Sequence, residues 1–525
     1  MAEDGLVFNG VDASTGGYLY APKTPEEIAA LARGIQPEAD KGHLATLRNW
    51  VRRLRSPSRG VAEGINPLDL AQTGWAVLVP FVSDPEAQTR QAAILDALRP
   101  LLDRRKAQAS RINPSYYREY TGVDAYRPKE AKRDWLARHG AAPASPAHPK
   151  KVPYYILIVA DPEAIPFRFQ YQLDVEYAVG RLDFDTVEEY ARYAQSVVDA
   201  ETDPPARPRR AAFFGVRNDD DAATQSSADH HVRPLAAAFA ANPAAGPAGT
   251  PWEFPTVLAA DATKSRLARL LGGQDTPALL FTASHGVGFP NGGDRQFQNQ
   301  GALLCQDWPG PTLGSGRPVP DTCFFAAGDV AADADLHGLI SFHFACYGLG
   351  TPRLDDFPDL AAGKRPGELA PRAFTAGLPR RLLAHPKGGA LAVIGHVDRA
   401  WGYSFSWPRA GEQILTFQDV LMRLFAGHPV GSATEPLNVR YAAMSTELSD
   451  SLQDEKLGAP LPPAVLAGLW TANNDARGYV VLGDPAVRLC LGPVDDPADT
   501  GEAASLVDVG PAPVVEVTRG GAAVR

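Results

Sequence analysis

Pro277-Ala-Leu-Leu-Phe-Thr-Ala-Ser-His-Gly286 and Leu339-Ile-Ser-Phe-His-Phe-Ala-Cys-Tyr-Gly348 decide how this chain is read. Each begins as a short apolar run and closes on glycine, the mark of a strand buried on both faces of a parallel sheet. In open α/β sheets, reacting groups collect in the loops at the carboxyl ends of strands. His285 leaves one such end and Cys346 leaves another. An imidazole beside a thiol makes a nucleophile with its base, since a free cysteine is only a few per cent thiolate at neutral pH.

The surrounding pattern extends the same sheet. Strand candidates follow at Ala211–Val216, Glu253–Ala259, Ala278–Ala283, Leu339–Ala345, Gly389–Gly395 and Tyr479–Leu482, with helical stretches such as His231–Ala241 and Thr263–Leu271 between them. Strands alternating with helices imply parallel pairing through right-handed crossovers. Upstream, Gly74–Phe81, Tyr154–Ala160 and Tyr177–Arg181 also read as strands. Thr24-Pro-Glu-Glu opens a helix running to Arg33, with a capping residue, proline at the first position and acids in the first turn. Asp84-Pro-Glu opens another, whose Ile94, Leu95, Leu98, Leu101 and Leu102 share a face and which Pro100 should kink. A further helix runs from Thr186 to Glu201.

Ala141–Pro149 is a Pro/Ala-rich loop, and Asp203–Pro208 is a Pro-rich joint. The expected organisation is a smaller α/β subdomain over 1–205, then a catalytic domain over 206–492. The latter is a mostly parallel sheet flanked by helices, a three-layer α/β/α arrangement. Residues 493–525, rich in Gly, Ala, Pro and Asp, read as a flexible tail.

Composition excludes several classes. The 525 residues are 45% hydrophobic and 21% charged, an ordinary globular balance. No run approaches the ~18 apolar residues that span a bilayer, so no membrane partner is expected. Met1-Ala-Glu-Asp-Gly-Leu lacks a basic-then-apolar signal pattern, which reads as cytoplasmic. The four cysteines, Cys305, Cys323, Cys346 and Cys490, form neither a disulfide framework nor a C-x-x-C pair, so no structural zinc site is expected. A formal charge of −10 argues against nucleic acid as a partner. The basic stretch Asn49–Arg59 reads as a solvated helix end and loop.

A strand ending in His-Gly, followed by a strand ending in Ala-Cys-x-Gly, resembles the caspase-like cysteine peptidases, particularly the gingipain and CHAT-domain branches. Tyr154-Tyr-Ile-Leu-Ile-Val-Ala-Asp-Pro-Glu-Ala-Ile-Pro166 with Tyr177-Ala-Val-Gly-Arg-Leu182 resembles the leading subdomain of gingipains, from about residue 150. Gly478-Tyr-Val-Val-Leu-Gly-Asp-Pro-Ala-Val-Arg-Leu489 resembles their closing strand and its Gly-Asp-Pro turn. The resemblance covers about residues 150–490. Residues 1–140 match no more than a generic α/β subdomain, and gingipains, unlike this reading, are secreted.

The resemblance implies a caspase-like fold and a cysteine endopeptidase with a His-Cys dyad that works through a thioester. Cys346 would be the nucleophile and His285 the base, with the N–H groups of Gly286 and Cys346 holding the oxyanion. Gly348 would serve the tight turn after the nucleophile. Three other histidines compete for the base role: His343, which an extended strand points to the face opposite Cys346, His337 and His396.

Relatives with acid after the first catalytic strand accept a basic side chain before the scissile bond. Asp219 or Asp220 would supply that charge here, unless the Arg217–Ala222 segment is only a solvated turn. Trp401 is either a wall of the substrate pocket or a packed core residue. Asp355 and Asp356 could bind calcium, or simply cap a loop; no other cofactor is implied. Expected partners are a protein or peptide substrate and an activating or inhibitory protein, as in a bacterial defence or regulatory system. The alternative is a caspase-like interaction module without hydrolysis.

Overall fold

The computed structural model describes residues 10–20, 23–34, 60–143, 145–205, 207–241, 251–357, 367–407 and 411–491. The basic stretch 49–59 and the tail expected at 493–525 lie outside the described residues.

In chain order the strands are β1 (Gly10–Asp12), β2 (Trp75–Leu78), β3 (Tyr117–Tyr120), β4 (Tyr155–Val159), β5 (Ala178–Leu182), β6 (Ala211–Gly215), β7 (Thr256–Leu258), β8 (Leu279–Ala283) and β9 (Gly286–Gly288). They continue as β10 (Ala302–Leu304), β11 (Phe324–Phe325), β12 (Ile340–Phe344), β13 (Gly350–Thr351), β14 (Phe374–Thr375), β15 (Ala392–His396), β16 (Ser406–Trp407), β17 (Gly411–Glu412) and β18 (Tyr479–Gly483). Ten of them build one sheet in the order β3-β2-β4-β5-β18-β15-β12-β8-β6-β7, flanked by helices in a three-layer α/β/α fold. The central strands β8, β12 and β15 are buried at every position, which is why they read as unbroken apolar runs.

Local signals act as expected at several helix ends. Thr24 and Glu27 exchange the two hydrogen bonds of a capping box ahead of Pro25–Gly34. Thr186 and Glu189 do the same for Val187–Thr202. The helix opened by Asp84 breaks at Leu98 into Pro85–Ala97 and Arg99–Ala109, because Pro100 has no N–H to continue the ladder.

Two features depart from the sequence reading. β18 runs antiparallel to β15, with His396 opposite Tyr479, although the other paired strands of the large sheet are parallel. The helix Pro463–Arg477 passes straight into β18 at Gly478, so the strand enters from the carboxyl edge. The second is a four-stranded sheet, β1-β9-β10-β11, whose strands of two or three residues are too short to leave a period.

The sheet runs without interruption across the boundary expected at 205, since β18 joins β5 through the pair Leu482–Arg181. One buried apolar cluster reaches from Val61 to Cys490. Two of the quoted motifs lock this junction. Arg181 is buried and donates to Gln170 Oε1 and to the carbonyls of Ala160 and Ile165. Asp484 of the Gly-Asp-Pro turn accepts from Trp75 Nε1 at 2.9 Å and from Arg105 Nε at 2.6 Å. Among the described residues, no helix is long and apolar enough to cross a membrane.

Candidate active site

Strand register brings the two motifs together. β8 and β12 are parallel neighbours with Ala283 opposite Phe344, and the Ser284 N–H continues the ladder to the Phe344 carbonyl at 3.2 Å. His285 and Cys346 each lie two residues beyond that pair, so they leave adjacent strands side by side at the carboxyl edge. The approach is close: a Cβ on Gly286 would lie 1.8 Å from the Cys346 carbonyl oxygen. Only a residue without a side chain fits there.

The turn at Cys346 is strained. Gly348 N–H reaches back to the Ala345 carbonyl at 3.2 Å, closing a β-turn. The positive φ, +57°, falls on Tyr347 and not on Gly348. Tyr347 N–H donates to the carbonyl of Asp398, itself at φ +72°. Two non-glycine residues in this region cost of order 1–3 kcal/mol each, and such strain concentrates at functional sites.

His285 is fixed by a residue that sequence reasoning passed over. Its Nε2 bonds Asp221 Oδ2 at 2.6 Å, and both side chains are fully buried. Asp221 follows β6 and caps the helix Ala222–Ser227, accepting from the Ala223 N–H. It also accepts from the Tyr18 hydroxyl at 2.6 Å and the Thr224 hydroxyl at 2.7 Å. Burial alone would raise this carboxyl, but the His285 imidazole and the hydrogen bonds from His285, Tyr18 and Thr224 hold it well below the usual carboxylate range. A carboxylate on Nε2 selects the Nε2–H tautomer and leaves Nδ1 as the basic atom. Among the described residues, buried Nδ1 has no hydrogen-bond partner. The available signal was positional: Asp221 is the last acid before a short helix, where an N-cap belongs.

The Cys346 sulfur meets the main chain of Ala400, whose N–H points at it from 3.3 Å. Burial pushes the thiol up to about 12, against the opposing effects of that N–H and of Arg399.

The competing histidines are placed elsewhere. His343 lies within β12, buried with neither ring nitrogen hydrogen-bonded among the described residues, and burial lowers it to about 3. His396 Nε2 bonds the Asp475 carbonyl, and His337 Nε2 bonds that of Ser196.

Asp219 and Asp220 take different positions from their neighbour. Asp219 is 98% exposed and paired with Arg217 at 2.9 Å, while Asp220 accepts the Thr312 N–H at 2.8 Å. With Asn218, Trp308 and Leu313 they line a surface cavity of about 500 Å³. Trp308 connects this cavity to the site, standing edge-on to the His285 ring with centroids 5.9 Å apart. Trp401 is 2% exposed and packs on Phe357, in a core shared with Ile28 and Leu466. Asp355 binds Arg399 through both carboxylate oxygens, and Asp356 pairs with Arg477. Among the described residues, no group of three His, Cys, Asp or Glu side chains is placed to hold a metal.

No family model matches the chain, and no curated protein matches it. A solved structure described as "Structure of Protease" aligns over 80% of each chain at 12% identity and a TM-score of 0.40.

Proposed function

We propose that the protein is a cysteine endopeptidase of the caspase-like type, related to the gingipain and CHAT-domain branches, with Cys346, His285 and Asp221 as its working set. The observation that carries this reading is the register of β8 and β12, which sets the imidazole and the thiol on adjacent strand ends while Asp221 holds Nε2. In the reaction, His285 Nδ1 takes the thiol proton as sulfur attacks the substrate carbonyl. The carbon–nitrogen bond breaks, and the leaving amine receives that proton. Water, deprotonated by the same nitrogen, then cleaves the thioester, and the sulfur regains its proton. Gly286 N–H would help hold the oxyanion.

The exposed carboxylate of Asp219 and the nearby Asp220 favour a basic side chain before the scissile bond. The substrate is then a protein or peptide, and the enzyme works in the cytoplasm under an activating or inhibitory protein, without a cofactor. Cys346→Ala should abolish turnover of arginyl and lysyl peptides. Asp221→Asn should lower kcat by about 10²–10⁴ with little change in KM, as loss of the correct tautomer does. Asp219→Asn should weaken arginyl over neutral substrates. Undiminished turnover by Cys346→Ala refutes the assignment.

One observation favours a second reading, a caspase-like interaction module without hydrolysis: Cys346 is fully buried and its thiol raised. No turnover of arginyl, lysyl or aspartyl peptides by a protein whose Cys346 has been made accessible would favour it.

A further inference from the structure

His285 and Cys346 are both 0% exposed, so a polypeptide cannot reach them in this conformation. The cover is a segment remote in sequence from either. β1 lies parallel on β9, Gly10 opposite Gly286, directly beside the base and its glycine. A Cβ placed on Gly10 would be 3.5 Å from Cys346 Cβ, so the Gly10 backbone rests against the nucleophile. The segment then turns at Asp12–Gly17 and comes back antiparallel, with Val11 bridged to Tyr18.

On the return, three consecutive side chains seal the site. The Tyr18 hydroxyl bonds Asp221, and its ring lies 5.8 Å from the His285 ring. Leu19 fills the space above two glycines: a Cβ on Gly10 would be 2.5 Å from Leu19 Cδ1, and one on Gly288 only 2.2 Å from Leu19 Cδ2. Tyr20 lays its ring over the Arg399 guanidinium at 4.0 Å, next to Ala400, whose N–H faces the sulfur.

We propose that residues 10–20 form an autoinhibitory strap, and that the chain is latent until this strap is lifted from β9. This rests on the peptidase reading for its consequence, but not for its geometry. Leu19 packs against the large core, but the strap's other ties lie outside it: Ala13 N–H bonds the Gly288 carbonyl at 2.8 Å, Val319 N–H bonds the Ala13 carbonyl at 2.8 Å, and Val11 and Ala13 belong to a small separate apolar cluster. Such a unit can open below the free energy of global unfolding. Lifting it removes Gly10 from the sulfur and Tyr18 from Asp221 while leaving the His285–Asp221 bond in place.

The test is alkylation of the full-length protein by iodoacetamide, with each cysteine followed by peptide mass spectrometry. Cys305, Cys323 and Cys490 are also buried and free, so they report unfolding. In a combined Tyr18→Ala, Leu19→Ser, Tyr20→Ala variant, Cys346 should react at least about ten-fold faster than in the parent while the other three stay slow. Gly288→Ala, which expels Leu19 from the opposite side, should act in the same direction. Hydrogen exchange on the unaltered protein needs no variant: the Ala13 and Leu19 amides should exchange at least about a hundred-fold faster than those of β12. Unchanged Cys346 reactivity in a folded variant, or strap amides protected like β12, overturns the proposal. Selective reactivity of Cys346 without turnover of any peptide leaves the strap standing and removes the peptidase reading.

Discussion

Replacing Gly286 by alanine tests the geometry of the site without assuming its chemistry. The added methyl would sit 1.8 Å from the Cys346 oxygen, 2.7 Å from its carbonyl carbon and 2.9 Å from its nitrogen. Ordinary contact starts near 3.4 Å, so one peptide unit must retreat by roughly 1.6 Å, and neither can do so by a rotamer change. Both are main chain, held by the β8–β12 ladder on one side and by β1 and β10 on the other. Overpacking in a well-filled core costs about 1–3 kcal/mol, and backbone against backbone belongs at the upper end.

A displacement of about 1 Å at a reacting centre costs on the order of 100-fold in rate, so peptide turnover should fall at least that far. Gly328→Ala is the control, because nothing lies within 4 Å of a Cβ there. Its stability should stay within about 0.5 kcal/mol of the parent. Urea unfolding followed by tryptophan fluorescence compares the two variants, and kcat/KM follows turnover. If Gly286→Ala unfolds and turns over like Gly328→Ala, the close approach is wrong and the placement of Cys346 beside His285 falls with it.

Asp484→Ala takes from Arg105, a side chain 1% exposed, its carboxylate partner at 2.6 Å and leaves it the one from Glu201 at 2.5 Å. Urea unfolding should register a loss of about 1.5–3 kcal/mol, the worth of a buried hydrogen bond to a charged group whose second carboxylate stays in place, and a loss below about 0.5 kcal/mol would contradict the burial. His231 is enclosed by Phe281, Phe344, Phe405 and Phe417, and burial lowers it from 6.5 to about 3, as it does His343. Both groups are neutral when folded and take up protons on unfolding below pH 6.5, so their stabilising contribution is complete above 6.5. It is lost as pH falls toward 3, at up to about 1.4 kcal/mol per pH unit for each. His231→Phe should therefore flatten the fall in melting temperature between pH 7 and 4.5, and equal slopes for variant and parent would count against the buried neutral imidazole.

The core of this fold was legible because its strands are buried on both faces and so carry unbroken apolar runs. β8 and β12 fall within the stretches read from sequence, and β15 overruns its stretch by one residue, His396. Register did not follow from the runs: as read, they end two residues before His285 and one before Cys346, and it is the pairing of Ala283 with Phe344 that makes the two distances equal. What stayed hidden was held by few residues or by contacts distant in sequence. β1 and β9, three residues each, have no period to read, and the Tyr18–Asp221 bond spans 203 positions. Asp221 was obscured by its neighbours: three consecutive aspartates look alike in sequence, yet one is buried on His285, one ties down Thr312 and one faces water. Trp401 could be read as pocket wall or core, and its ring lies against Phe357 inside the smaller cluster.

The place of β18 has a consequence for biosynthesis. It is inserted between β5 and β15, strands made long before it emerges from the ribosome. Until then the nascent chain carries two half-sheets, each with an open flank of unpaired amides and carbonyls, ready to pair with any extended segment nearby. A ribosome stalled upstream of Tyr479 would release a product with both flanks bare, prone to aggregate rather than merely to lack activity.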